Sequence, residues 1–298
     1  MSHHLHQPAV PGPRTRDRRG TRPAVAALLV LASLGVTACG DDDPDPTTTT
    51  TGSTPTATTP TGGAGGAPSA GVPGDGEQAI RAALERSADS TTKARTARLR
   101  LEMSSGPIAT SAEGTADLVE QRYALDQTVK QGSQEVRLKG YGENDRVYIQ
   151  PPGGSDWVVT QNPVGSSDPL AQAQQLQKAR ITGVGDVETY DGVRCRSFTA
   201  EVAVADVVDN VNDPTAKALI DGAPDGAAIP VTACIDDAGL TYRLQQDFAA
   251  ADVFGPAAAS AGRTKIDVRM SDYGSAPSPQ RPDGIDDATP APSTGTAG

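Results

Sequence analysis

Few side chains in this sequence can carry catalytic or metal-binding chemistry, and their positions are informative. All three histidines, His3, His4 and His6, lie within the first six residues. Downstream of them no imidazole remains to activate a serine or cysteine nucleophile or to ligate zinc. Adjacent carboxylates occur at Asp236-Asp237 and Asp286-Asp287. Paired acids serve general acid–base chemistry, but the first pair sits in a turn sequence and the second in a polar tail, so both read as solvated turn residues. Asp206, Asp209, Asn210, Asn212 and Asp213 gather oxygen ligands of the kind calcium takes, without the D-x-[DN]-x-[DN]-G order of a calcium loop. They read as a polar helix face and a helix N-cap at Asp213. Gly183-x-Gly185 lacks the third glycine of a dinucleotide loop and reads as strand glycines at a bend or bulge. No catalytic residue, metal or cofactor is expected, and the chain reads as non-enzymatic.

Three cysteines remain: Cys39, Cys195 and Cys234. Five arginines and no lysine precede an apolar run from Ala24 to Leu34, which ends in Val36-Thr37-Ala38-Cys39. The run is shorter than the ~20 residues of a spanning helix, and its basic start and small-residue exit suit a secretory signal. The motif before Cys39 resembles the lipobox of bacterial lipoproteins. That resemblance implies cleavage before Cys39, a diacylglycerol thioether on its sulfur, further acylation such as palmitate, and anchoring on the extracytoplasmic side of the cell membrane. All three histidines leave with residues 1–38. Cys195 and Cys234 are then an even pair in an oxidising compartment, where a disulfide is the natural state. It would close a loop of about 40 residues, worth roughly 4 kcal/mol in the chain-entropy model. A functional thiol pair is the alternative, without a C-x-x-C motif to support it.

The leader's five arginines and one aspartate leave 21 basic and 36 acidic residues, a net charge of −15. Such a chain repels nucleic acid and anionic lipid surfaces, so nucleic acid is excluded as a partner and membrane association falls to the acyl anchor. Residues 39–76, rich in Thr, Pro, Gly and Asp, have too little apolar surface to fold and read as a disordered tether. Residues 275–298 read as a disordered tail. One domain is expected over 77–274. Aromatic residues make up only 3% of the chain, so its core must rest on Val, Leu, Ile and Ala.

Asp75 suits an N-cap for a helix with Ile80, Ala83, Leu84 and Ala88 on one face, ending before Thr91-Thr92. The period then changes to two. Leu99, Leu101 and Met103 alternate with charged residues, followed by strands through Tyr123 to Val129, Val136 to Leu138, Val147 to Ile149 and Trp157 to Val159. Asp168-Pro169 opens a second helix through Leu176. Ile181 to Val187, a hairpin turn at Asp191-Gly192 and Arg194 to Val202 follow. Val204 to Val211 suits a helix face, and Asp213-Pro214 opens another through Ile220. A second hairpin turns at Asp236 to Gly239, and Ile266, Val268 and Met270 mark a last strand. The expected fold is α+β: a single curved antiparallel sheet or half-open β-barrel with helices packed on its concave face.

Several segments are similar to the actinobacterial and mycobacterial envelope lipoproteins of the LppX and LprG type, which share the fold of the LolA and LolB carriers. They are the lipobox, Val147-Tyr148-Ile149 to Trp157, Asp168-Pro169-Leu170, Gly185 to Val193, Cys234 to Arg243, and Met270 to Gly274. The resemblance spans about residues 77–274. It implies an apolar cavity under a helical lid that binds acyl chains of envelope lipids or lipoglycans and carries them. The candidates to line it are Leu99, Leu101, Met103, Leu125, Leu138, Ile149, Ile266 and Val268, although the same positions suit a closed core. Trp157 reads either as a rim residue or as core or edge packing. The alternative function is an envelope accessory or sensor module that meets another protein and has no lipid ligand.

Overall fold

The computed structural model describes residues 71–144, 146–161, 175–207 and 214–291. The leader, Cys39, the tether up to residue 70, Asp168-Pro169 and residues 208–213 lie outside the described residues. The described chain runs α1 (Glu77–Ala94), β1 (Thr96–Ser105), β2 (Ile108–Asp117), β3 (Arg122–Gln131), β4 (Gln134–Glu143), β5 (Arg146–Gln150), β6 (Val158–Gln161), β7 (Arg180–Tyr190), β8 (Val193–Ala203), α2 (Pro214–Asp221), β9 (Ala228–Ile235), β10 (Thr241–Ala249), α3 (Ala250–Phe254), β11 (Arg263–Ser271) and β12 (Thr289–Pro290). All twelve strands form one unclosed sheet in the order β12-β6-β5-β4-β3-β2-β1-β11-β10-β9-β8-β7. Every neighbouring pair is antiparallel except β12 on β6, which is parallel.

The alternation in β1 gives the sheet its two faces. Leu99, Leu101 and Met103 point one way, and the exposed Arg98, Arg100 and Glu102 point the other. The polar face is laced by cross-strand ion pairs: Arg100 with Glu113 at 2.5 Å, Arg243 with Asp267 at 2.5 Å, and Arg180 with Glu201. Exposed pairs of this kind contribute at most about 1 kcal/mol each. Asp267 is more enclosed. Burial pushes its pKa up, but the Arg243 and Arg269 guanidiniums outweigh that and hold it below the ordinary aspartate range.

The apolar face is sealed where α1 covers it. Ile80, Ala83 and Leu84 pack with Phe198, Ala200, Val231, Ala233 and Ile235 of β8 and β9. Asp75 is not the cap of this helix. Gly76 occupies that position with an extended backbone, and no side chain caps it. The helix also runs past Thr91-Thr92 to Ala94, because Thr91 is buried and the Thr92 hydroxyl donates back to the Ala88 carbonyl. Its polar side is tied to the β9–β10 turn. Arg86 donates through Nε and Nη2 to the Asp237 carbonyl at 3.1 and 2.7 Å, and the Ser90 hydroxyl donates to the Ala238 carbonyl. Gly239, at φ +94°, brings this turn so close that a Cβ would stand 2.4 Å from the Ala83 carbonyl oxygen.

Four further expectations need correction. Val204 to Val211 is not a helix in its described part, where Val204–Asp206 form a single 3-10 turn. β2 was not anticipated, since its small and polar residues carry no apolar alternation. The ordered chain begins before Glu77. The Asp237 amide donates to the Gly71 carbonyl at 2.9 Å and Arg196 Nε to the Pro73 carbonyl at 2.8 Å. It also continues past Gly274, through a segment that reaches β12 and buries Ile285. The helical cover seen among the described residues is partial: α1 lies over β7 to β9, and Leu176 and Ala179 join its cluster, with Gln177 Nε2 donating to the Leu84 carbonyl at 2.8 Å.

Cys195 and Cys234 are joined as a disulfide between neighbouring strands β8 and β9, with Cα atoms 5.5 Å apart. Reduction is expected to lower stability by about 4 kcal/mol; an unchanged urea midpoint with and without reductant would reject a stabilising bond. Gly239→Ala is expected to lower stability by more than Gly226→Ala. Both require positive φ, a strain of about 1–3 kcal/mol, but only Gly239 also meets backbone within 4 Å. Equal midpoints for the two variants would show that the α1 contact is unimportant.

Candidate functional site

The strand registers decide where the eight candidate lining residues fall. Leu101 lies opposite Val268 and Met103 opposite Ile266 across β1 and β11. Leu99 and Leu101 lie opposite Gly114 and Ala112 of β2. Those two face Leu125 and Gln127 of β3. Gln127 faces Leu138, while Leu125 faces Gly140, which in turn faces Ile149. Directly opposed residues share a face in an antiparallel sheet. All eight therefore lie on one face, over a strip from β11 to β5.

Leu138 is buried, and the other seven are half-buried. Val268 adjoins the cluster under α1, and Leu99 and Val268 adjoin a second cluster around Tyr242, Met270 and Tyr273. Leu101, Met103, Leu125, Ile149 and Ile266 belong to neither. Small residues, Ala112, Gly114 and Gly140, stand between the large ones and leave a shallow floor. Thr110 is also buried on this face, and its hydroxyl has no hydrogen-bond partner.

A groove of about 770 Å³ opens on the opposite face, at the ends of the strands, among Glu102, Ser111, Lys130, Glu201, Asp247 and Asp267. Of the eight candidates only Met103 and Ile266 touch it. This groove is not the apolar cavity expected from the alternation, because charged and polar side chains of the wet face share its lining with Met103, Ala200, Val231 and Ile266.

Trp157 packs rather than lining a rim. It is buried with Tyr141, Tyr148 and Ile285, and its Nε1 donates to the Asp283 carbonyl at 3.2 Å. Tyr141 lies opposite Tyr148 and Ala124, on the face away from the eight candidates. The partner of this cluster, Ile285, was missed in the sequence. Its only signal was a lone aliphatic residue in a polar tail.

The carboxylate pairs divide. Gly183 and Gly185 do sit at register irregularities of β7 on β8, but Asp236 is not a solvated turn residue. It is 1% exposed. Its carboxylate accepts the Leu240 amide at 2.8 Å and the Tyr242 hydroxyl at 3.1 Å, closing the β9–β10 turn from within. Burial raises its pKa above the ordinary value, against the lowering effect of those donors. Asp237 is exposed. Asp286 is exposed too, and the Arg281 guanidinium beside it holds its carboxyl below the usual range. Asp209, Asn210, Asn212 and Asp213 lie outside the described residues.

No protein-family model and no curated protein matches the chain. Among solved structures it is similar to LprF from Mycobacterium bovis, at 14% identity over 71% of this chain and 99% of that one, with a TM-score of 0.46. It is similar also to the Mycobacterium tuberculosis lipoprotein LppX, at 15% identity over 70% and 100%, with a TM-score of 0.46. A DUF1329 family protein from Desulfovibrio piger follows at 9% identity over 67% and 92%, with a TM-score of 0.24.

Asp236 gives a signed pH dependence. A carboxyl whose folded pKa is raised favours the folded state below its unfolded value, about 4. That contribution is lost as pH rises through the raised folded value. Asp236→Asn keeps an acceptor for Leu240 and cannot ionise. Its melting temperature relative to the parent is expected to increase from pH 4 towards neutrality and then level off. Asp236→Ala leaves both donors unpaired and should cost about 1–3 kcal/mol. A parent–Asn difference independent of pH would show that the carboxyl titrates normally.

Proposed function

We propose that this chain is an exported, lipid-anchored envelope protein that binds acyl chains against its apolar sheet face and carries them without enzymatic chemistry. The observation that supports the reading is the strip from β11 to β5. Eight large apolar side chains share one face there, and six of them, the buried Leu138 and five half-buried ones, lie outside the two clusters that Leu99 and Val268 border. Among the described residues the strip is short of partners, and an acyl chain laid along it buries surface on both sides. Each methylene so buried contributes about 0.8 kcal/mol, so a single long chain is enough for useful affinity. Anchoring through Cys39 would keep the domain beside a membrane that supplies such chains.

The test is mass spectrometry of organic extracts from the chain beginning at Gly71, secreted by a bacterial host, so that the anchor itself contributes no lipid. Near-stoichiometric acyl lipid is expected. Leu101→Glu places a carboxylate in the strip and should lower occupancy at least tenfold, about 1.4 kcal/mol. Arg100→Ala, one residue away on the wet face, should leave it unchanged. Thermal melts identify folded variants. Lipid-free parent protein, or equal loss from both variants, would overturn the proposal.

A further inference from the structure

The segment after Gly274 behaves as a bound peptide. β12 adds to the free edge of β6, the Thr289 amide donating to the Trp157 carbonyl at 3.0 Å and the Ala291 amide to the Val159 carbonyl at 2.8 Å. Four residues before Thr289, the Ile285 side chain is 2% exposed in a recess of Tyr141, Tyr148 and Trp157, with Ala288 at its margin. Four residues before Ile285, Arg281 reaches Glu143 of β4 at 3.3 Å and also clasps Asp286 of its own segment at 2.7 Å. Main-chain pairing to a sheet edge, one side-chain pocket and one charge contact are the parts of strand-addition peptide recognition. Only two residues of the segment pair as strand; its other ties are the Trp157 Nε1 bond to the Asp283 carbonyl and the burial of Ala276 and Pro279.

We infer that the β6 edge and the Tyr141–Tyr148–Trp157 recess form a peptide-binding site, which the chain's own C-terminal segment occupies until another peptide displaces it. The partner it fits is a peptide with an aliphatic anchor at the start of a single 3-10 turn, as Ile285–Asp287 form here, an arginine four residues before the anchor to meet Glu143, and free amides four and six residues after it to pair with β6. The Arg–Glu143 contact and the aliphatic recess together set this chemistry, and an acidic side chain at the anchor position is excluded by the apolar walls.

Trp157 is the only tryptophan in the chain, so its fluorescence reports the recess directly. In the full chain, Ile285→Asp is expected to eject the segment and shift Trp157 emission to the red. A synthetic peptide of residues 279–291 should reverse the shift, and the same peptide with Ile285→Asp should not. The unaltered chain should respond to the peptide at least tenfold more weakly, since its tethered segment competes at an effective concentration of roughly mM. A folded Ile285→Asp chain, by circular dichroism and cooperative melting, whose emission ignores the peptide or answers both peptides equally overturns the inference. If that variant does not fold, Ile285→Ala takes its place in the same titration. A dimer in size-exclusion chromatography that Ile285→Asp abolishes would make a second copy the occupant, and would overturn the assignment to a different peptide.

Discussion

One helix cannot cover twelve strands. Strands lie ~4.8 Å apart, so the sheet spans about 50 Å across its strands, whereas a helix with its side chains is about 10–12 Å wide. α1 therefore seals two or three strands, and it does so over β7 to β9, where Ile80, Ala83 and Leu84 meet Phe198, Ala233 and Ile235. Among the described residues the apolar face from β11 to β5 has no comparable helical cover. The half-burial of Leu101, Met103, Leu125, Ile149 and Ile266 follows from that mismatch of widths. The proposed lipid strip is thus a consequence of architecture before it is a matter of particular residues.

The sealed end is fastened at several points, and these points converge. The β9–β10 turn holds the Asp236 carboxylate inside, presents its carbonyls to Arg86 and Ser90 of α1, and ties Gly71 through the Asp237 amide. Behind it the disulfide joins β8 to β9, two strands whose Phe198, Ala200, Ala233 and Ile235 share a cluster with α1. The strip begins where that fastening stops.

Much of this was legible in the sequence where alternation was strong. β1, β4 and β11 show large apolar residues at every second position with charges between, so both their faces and the six lining candidates they carry could be assigned in advance. Asp191-Gly192 declared its turn, and both residues do adopt positive φ, 50° and 82°. β2 was not legible because Ala, Ser, Thr and Gly have little contrast between faces. Its register is imposed by β1 and β3 on either side, a tertiary constraint that no local pattern carries. Asp236 was misread for a related reason: an Asp-Asp-Ala-Gly turn looks solvated until α1 is laid across it. The tail was misread on composition, since proline-rich polar sequence rarely folds alone, and only the Trp157 recess makes Ile285 worth ordering.

The tail also answers a problem common to every open sheet. Unpaired edges invite association with other chains, and this sheet has two. The β7 edge is broken by register shifts at Gly183 to Val187 and carries Arg180, Asp186 and Glu188, features that discourage further pairing. The β6 edge is short and rich in Val, and it has no such features; β12 covers it instead. A cover made of two paired residues, the buried Ile285 and the Asp283 and Arg281 contacts is enough to keep the edge closed against weak, nonspecific pairing, because it is always present at high local concentration. It yields only to a segment that supplies a strand and an anchor together. Edge protection and selective recognition are then the same interaction, and replacing one strand by another never leaves the edge bare.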